Sequence, residues 1–126
     1  MKLDHLLEGE AHHDPDGAME TLEVLKPYLE REGFVVEHFD GDPPVLAAKN
    51  KIEGKLHGTV ELNYFSGRWD HVAVIVYDYD DKAHLYVIVQ TFKAARAPAN
   101  DRELVGDLKR MIGLYKQWIK DGMPDE

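Results

Sequence analysis

The chain of 126 residues contains no cysteine, which excludes disulfide staples, cysteine-zinc sites, iron–sulfur ligation and a thiol nucleophile. Serine is almost missing as well. Ser66 is the single one, and it sits in "FSGRWD", a tight turn between strand-like runs, away from any strand-to-helix elbow of the kind serine nucleophiles occupy. No stretch approaches the roughly 18 to 20 apolar residues of a membrane span, and "MKLDHLLEGEAHHD" has no long apolar core behind its lysine. A soluble, cytoplasmic protein with no membrane partner is the expectation. Three Asn and two Gln are few. Together with abundant Glu and Lys, that scarcity matches proteins from hot environments, so a thermophilic source is expected.

Basic residues are also scarce where the acidic ones gather. The formal charge is −9; residues 1–42 hold 12 Asp or Glu against 3 Lys or Arg, and residues 43–126 hold 12 of each. Such a surface repels phosphates, and the helical stripe Arg102, Lys109, Lys116 and Lys120 reads as a solvated face, so nucleic acid is not an expected partner.

One domain of this length can bury a core without staples. Residues 1–16 form an acidic lead segment, in which Leu3, Leu6 and Leu7 suit a short amphipathic turn. Ala18, Met19, Leu22, Leu25 and Leu29 then recur at spacings of three and four, which predicts a helix to about Glu32 that Gly33 stops. Pro27 inside it is expected to bend or divide the helix. From Phe34 the period becomes two. "FVVEHFD", "VLAAKNKI", "KLHGTVELNYF", "DHVAVIVY" and "HLYVIVQTF" read as strands, with "GDPP" and "DYDDK" as connections. The last two, rich in β-branched and aromatic residues, are expected at the heart of an antiparallel sheet. After a linker at 94–99, Asn100 and Glu103 have capping-box spacing. The apolar stripe from Leu104 to Ile119 predicts a second helix that ends at Gly122 and Pro124.

The predicted class is therefore α+β: a roughly five-stranded antiparallel meander with an N-terminal and a C-terminal helix packed on one face, in two layers. In element order the chain looks broadly similar to small secretion chaperones and related adaptors, a likeness that no motif carries.

Strand alternation divides the sheet into two faces. Leu56, Val60, Leu62, Tyr64, Val72, Val74, Val76, Leu85, Val87 and Val89 belong to an inner face. The outer face takes His57, Thr59, Glu61, Asn63, Phe65, His71, Ala73, Ile75, Tyr77, His84, Tyr86, Ile88, Gln90 and Phe92. Aligning the valines across the hairpin sets Tyr77 opposite His84, Ile75 opposite Tyr86 and His71 opposite Gln90, with Glu61 beside Ile75 and Phe65 beside His71. An open sheet face normally carries Thr, Lys and Glu, whereas this one carries aromatics and aliphatics together. Either an element of the same chain covers it or another molecule does.

Asn63, Phe65, His71, Ile75, Tyr77, His84, Tyr86 and Gln90 are accordingly the expected binding residues of a non-catalytic binding or adaptor domain. A homodimer or a protein partner is the expected occupant, with a small ligand as a further option. If the protein is instead a small enzyme, His71, Glu61, Tyr77 and His84 are its acid–base candidates. No motif asks for a cofactor.

The stretch "HHDPDGAMETLE" (12–23) resembles an EF-hand calcium loop. Gly17 stands at the sixth position, and Asp14, Asp16, Glu20 and Glu23 stand at ligand positions. The resemblance implies calcium binding through those four carboxylates, but His12 occupies the first position, where an oxygen ligand is required. The same residues are explained by a helix start: Asp14 before Pro15, or Asp16 before Gly17, as the cap, with Glu20 and Glu23 near the positive end of the helix dipole.

Overall fold

The computed structural model describes residues 15–65 and 67–124. It contains helix α1 (Pro15–Arg31), strands β1 (Val35–Gly41), β2 (Pro44–Glu53), β3 (Leu56–Phe65), β4 (Arg68–Asp80) and β5 (Leu85–Lys93), and helix α2 (Asp101–Lys120). The strands form one antiparallel sheet in the order β1-β2-β3-β4-β5. Helix α1 packs over β1 and β2, and α2 over β4 and β5. The α+β class and the five-stranded meander are those the periodicity predicts. The short turn around Leu3, Leu6 and Leu7 lies outside the described residues.

Ala18, Leu22, Leu25 and Leu29 are fully buried along α1. Thr21, buried with them, donates its hydroxyl to the Gly17 carbonyl at 3.1 Å, so no buried polar atom is left there without a partner. The helix runs unbroken through Pro27. Pro27 is exposed, so the carbonyl that loses its N–H partner to the ring can turn to water. At the end of α1, Phe34 N–H donates to Leu29 O and Gly33 N–H to Glu30 O, with Gly33 at φ 95°. This Schellman closure requires a residue that tolerates the left-handed region. The same pattern, Met123 to Trp118 and Gly122 to Ile119, ends α2. At its start the Asn100 side chain accepts from Glu103 N–H at 2.9 Å, and Glu103 reaches back to Ala99 N–H, one residue before the cap.

The helix side of the sheet is built in rows. Val36, Ala48, Val60, Val74 and Phe92 pair across all five strands; Leu46, Leu62 and Val72 form the next row. Asn50, Gly58 and Val76 form a third row. Its glycine admits the ring of Tyr115, since a Cβ on Gly58 would lie 2.3 Å from the Tyr115 hydroxyl. Asn50 donates to that hydroxyl at 3.1 Å. Burial raises the Tyr115 pKa above its ordinary value, an effect that the Asn50 hydrogen bond partly opposes. Trp69 donates to the buried Asp101 at 2.9 Å, tying the start of β4 to the first turn of α2.

The two most apolar strands are not both central. The middle strand is β3, and β5 is an edge. As the last strand of a meander it has a neighbour on one side only, and a second departure lies at Val89. Val76 pairs with Gln90, but Tyr77 pairs with Ile88, so β5 carries one extra residue and its alternation changes phase there. Phe92 consequently faces α2, 6.2 Å from the rings of both Tyr115 and Trp118. Leu85, Val87 and Val89, which the alternation predicts in the core, are 49%, 43% and 43% exposed. Strand β4 also runs on to Asp80, and the turn spans 81–84.

Candidate functional site

Both helices lie on one side of the sheet, and among the described residues no element covers the other side. The aliphatic inner set of β3 and β4 faces the helices, and the aromatic and histidine set of the same strands faces out. The open face is ordered by its strand pairs. Thr59 lies between Lys49 and Ile75, Glu61 between Ala47 and Ala73, Asn63 between Val45 and His71, and His57 between Lys51 and Tyr77.

Two polar side chains converge on Glu61. Its Oε1 lies 3.0 Å from His71 Nε2, and its Oε2 accepts from the Tyr77 hydroxyl at 3.0 Å. His71 and Glu61 are about one-third exposed. Burial first, then the hydrogen bond and charge of Glu61, raise the Tyr77 pKa above the ordinary 10.0. Ala73 and Ile75 lie between Tyr77 and His71 on β4 and are buried, so the carboxylate bridge roofs the small apolar centre of this face.

Toward the hairpin tip an aromatic cluster centres on Tyr86. Its ring centroid lies 5.3 Å from His57, 5.2 Å from Tyr79 and 6.4 Å from Tyr77, all edge-to-face, the arrangement that ring quadrupoles favour. Lys55 lies over the Tyr79 ring and pairs with Asp81; Lys49 pairs with Glu37 at 3.6 Å. A shallow depression of about 320 Å³ is lined by Lys49, His57, Thr59, Glu61, Tyr77 and Tyr86. An adjoining one of about 340 Å³ extends it past Lys51, Lys55 and Tyr79. Lys49 and Lys55 pair with Glu37 and Asp81, and Lys51 and Glu61 line the same depressions, so the surface is mixed in charge and aromatic in its walls.

Of the residues predicted to form the binding surface, Asn63, His71, Ile75, Tyr77 and Tyr86 share this face, and Phe65, 60% exposed, ends it. Two do not join it. Gln90 pairs with Val76 on the helix side because of the extra residue at Val89. His84 stands in the turn at φ 54°, away from Tyr77, whose β5 neighbour is Ile88. The remaining pairings shift likewise: Ile75 meets Thr91, Tyr86 meets Tyr79, Glu61 meets Ala73, and His71 meets Asn63. Of the four acid–base candidates, three come together and His84 is apart. Tyr79, Lys49 and Lys51 are site residues that the selection above misses. The connection predicted at "DYDDK" takes in Tyr79, although alternation from Tyr77 along β4 places it on this face.

Asp16, Gly17, Glu20 and Glu23 all lie within continuous helix. Over 16–23 the backbone is helix where a calcium loop would wrap its ligands around the ion, and Asp16 lies inside the helix, not at its cap. Asp14 lies outside the described residues. Among the described residues no three His, Asp or Glu side chains are grouped so as to hold a metal ion, and no helix is long and apolar enough to cross a membrane. No protein-family model matches the chain, and comparison with curated proteins and with solved structures finds no match.

Proposed function

We propose that this protein is a binding or adaptor domain that works through its uncovered sheet face and associates with a second copy of itself. One observation carries the proposal: an aromatic, histidine and aliphatic surface continues over β3, β4 and β5 with both helices on the far side. Tyr86 and Ile88 are each 56% exposed and Phe65 60%, in the company of a tyrosine cluster. Interface centres favour this composition, and monomers seldom leave it uncovered. The absence of cysteine fits a reducing compartment such as the cytoplasm.

Sedimentation velocity across micromolar concentrations tests the self-association. The wild-type chain is expected to dimerise, and Tyr86→Glu, which sets a charge at the centre of the ring cluster, is expected to be monomeric. Wild-type protein that stays monomeric throughout would remove self-association. Concentration-independent NMR spectra of Tyr77, Tyr86 and Ile88 would agree with that result.

A second function has a specific observation in its favour: Glu61 holds His71 and Tyr77 at once, a grouping from which an acid and a base can be drawn. It competes with a purely recognitional use of the same three groups. If the cluster is catalytic, Glu61→Gln and His71→Gln abolish turnover and leave association unchanged. If it serves recognition, the same variants weaken binding.

A further inference from the structure

The exposed apolar side chains of β5 form one uninterrupted run at the edge of the sheet. Leu85, Tyr86, Val87, Ile88 and Val89 are 49%, 56%, 43%, 56% and 43% exposed, and they point to both faces of a strand whose outer backbone edge has no neighbouring strand among the described residues. A sheet edge of this kind is a template for another strand. We propose that the added strand is β5 of a second copy, paired antiparallel about a two-fold axis at Val87, so that two five-stranded sheets become one of ten strands. The proposal rests on the self-association put forward above and gives it a place and a register.

Geometry selects that register. A two-fold axis that pairs identical strands antiparallel stands perpendicular to the sheet. It leaves both helix layers on one side, so every pair must join side chains of the same face. Before the extra residue at Val89 changes the phase, odd-numbered residues of β5 face the helix side and even-numbered ones the open side. An axis at Val87 then sets Leu85 against Val89, Tyr86 against Ile88, and Val87 against itself. All five exposed residues find apolar partners.

Charge agrees. Residues 85–92 carry no ionisable side chain other than Tyr86. The hairpin end of one copy, where Asp78 and Asp80 outnumber Lys82, and Asp81 is paired with Lys55, comes to lie toward the Lys93 and Arg96 end of the other, so opposite signs approach. Area sets the strength. Five side chains about half exposed leave on the order of 400 Å² per copy, about half of one side of a standard interface of ~800 Å². The Tyr77 and Tyr79 rings stand one strand back from the seam, beside Ile88 and Tyr86, and an area this small places the dimer among weak, concentration-dependent ones.

The opposite edge explains why assembly would close at two. Strand β1 exposes Glu37, His38 and Asp40, and its pairing is interrupted between Val36 and His38. Both edge strands carry a bulge, and what sets β1 apart is its exposed charge, a usual protection of an edge. With one adhesive edge and one guarded edge, pairing ends in a closed dimer and not in a fibre.

A chain without cysteine allows a direct test of the register. Val87→Cys sets two thiols on the axis, where facing Cα atoms of an antiparallel pair lie about 4.5 to 5.5 Å apart, within disulfide reach. Mild oxidation is expected to give a covalent dimer on a non-reducing gel. Leu85→Cys and Val89→Cys chains are expected to cross-link when mixed but not alone, because like positions then lie about 13 Å apart. In sedimentation, Val87→Lys is expected to be monomeric and Val35→Glu, at the opposite edge of the sheet where Val35 is exposed, to dimerise like the wild type. A dimer that survives Val87→Lys, dissociates with Phe65→Glu and resists cross-linking at position 87 would overturn the edge pairing and leave association through the face standing. A wild-type monomer at every concentration overturns both.

Discussion

The contact between Gly58 and Tyr115 gives a sharp prediction, because a single added carbon meets a ring that has nowhere to go. A Cβ at position 58 would lie 2.3, 2.5 and 2.6 Å from the hydroxyl oxygen, Cζ and Cε1 of Tyr115, so the ring must retreat by about 1 Å to restore van der Waals contact. Phe34 stands 5.8 Å from it and Phe92 6.2 Å, Asn50 holds its hydroxyl, and the residue is 1% exposed. Overpacking of this kind costs about 1–3 kcal/mol, offset by about 0.4–1 kcal/mol from the stiffer unfolded chain of an alanine variant. Gly58→Ala is therefore expected to lose about 1–2 kcal/mol. At about 3–5 °C per kcal/mol for a domain of this size, the midpoint falls by roughly 3–10 °C in a thermal melt followed by circular dichroism. The double variant Gly58→Ala, Tyr115→Leu should lose less than the two single losses combined, since the smaller side chain relieves the clash. If Gly58→Ala melts at or above the wild-type temperature, the ring does not fill the gap in the sheet, and the account of how α2 is fastened there is wrong.

Other outcomes follow from the same contacts. Glu61→Gln removes the negative charge that helps to raise the Tyr77 pKa, so tyrosinate absorbance should show that phenol ionising at lower pH than in the wild type; an unchanged titration curve would mean the carboxylate does not grip it. The phenols of Tyr28, Tyr77 and Tyr115 all ionise above the ordinary 10.0 when folded. Their contribution to stability is present in full below the unfolded value and is lost as pH rises through the folded values, so denaturant midpoints should fall above about pH 10. Tyr115→Phe should flatten that decline. Asn100→Ala removes the side-chain acceptor of the Glu103 N–H and should cost about 1 kcal/mol in urea unfolding, while a loss near zero would show that the cap is replaced by water.

Much of the architecture was legible because it rests on local chemistry. The strand count follows from alternation and turn residues, both helix ends from their glycines, and the start of α2 from Asn100 and Glu103. The outward-facing set of β3 and β4 was legible for the same reason: a period of two has only one way to put valine and leucine inward. What escaped was β5. A bulge adds one residue without a compositional mark, so nothing in "HLYVIVQTF" shows that the phase reverses at Val89, that Phe92 belongs to the core or that Gln90 leaves the open face. Valine-rich composition also suggests a central strand, whereas position in a sheet is decided by neighbours elsewhere in the chain. Glu61, His71 and Tyr77 could be placed on one face from sequence, but their convergence on a single carboxylate depends on side chains reaching along the strands, which alternation does not encode.

The unmatched residue at Val89 splits β5 into two territories. From Gln90 onward, the even-numbered side chains answer to the interior, and a change at Phe92 would be felt by Tyr115 and Trp118. Between Leu85 and Ile88 the side chains answer to whatever lies beyond the sheet, so this part of the hairpin can be rewritten with little penalty to the interior. Mutational tolerance should therefore break sharply within one strand, turning on affinity at one end and on melting temperature at the other.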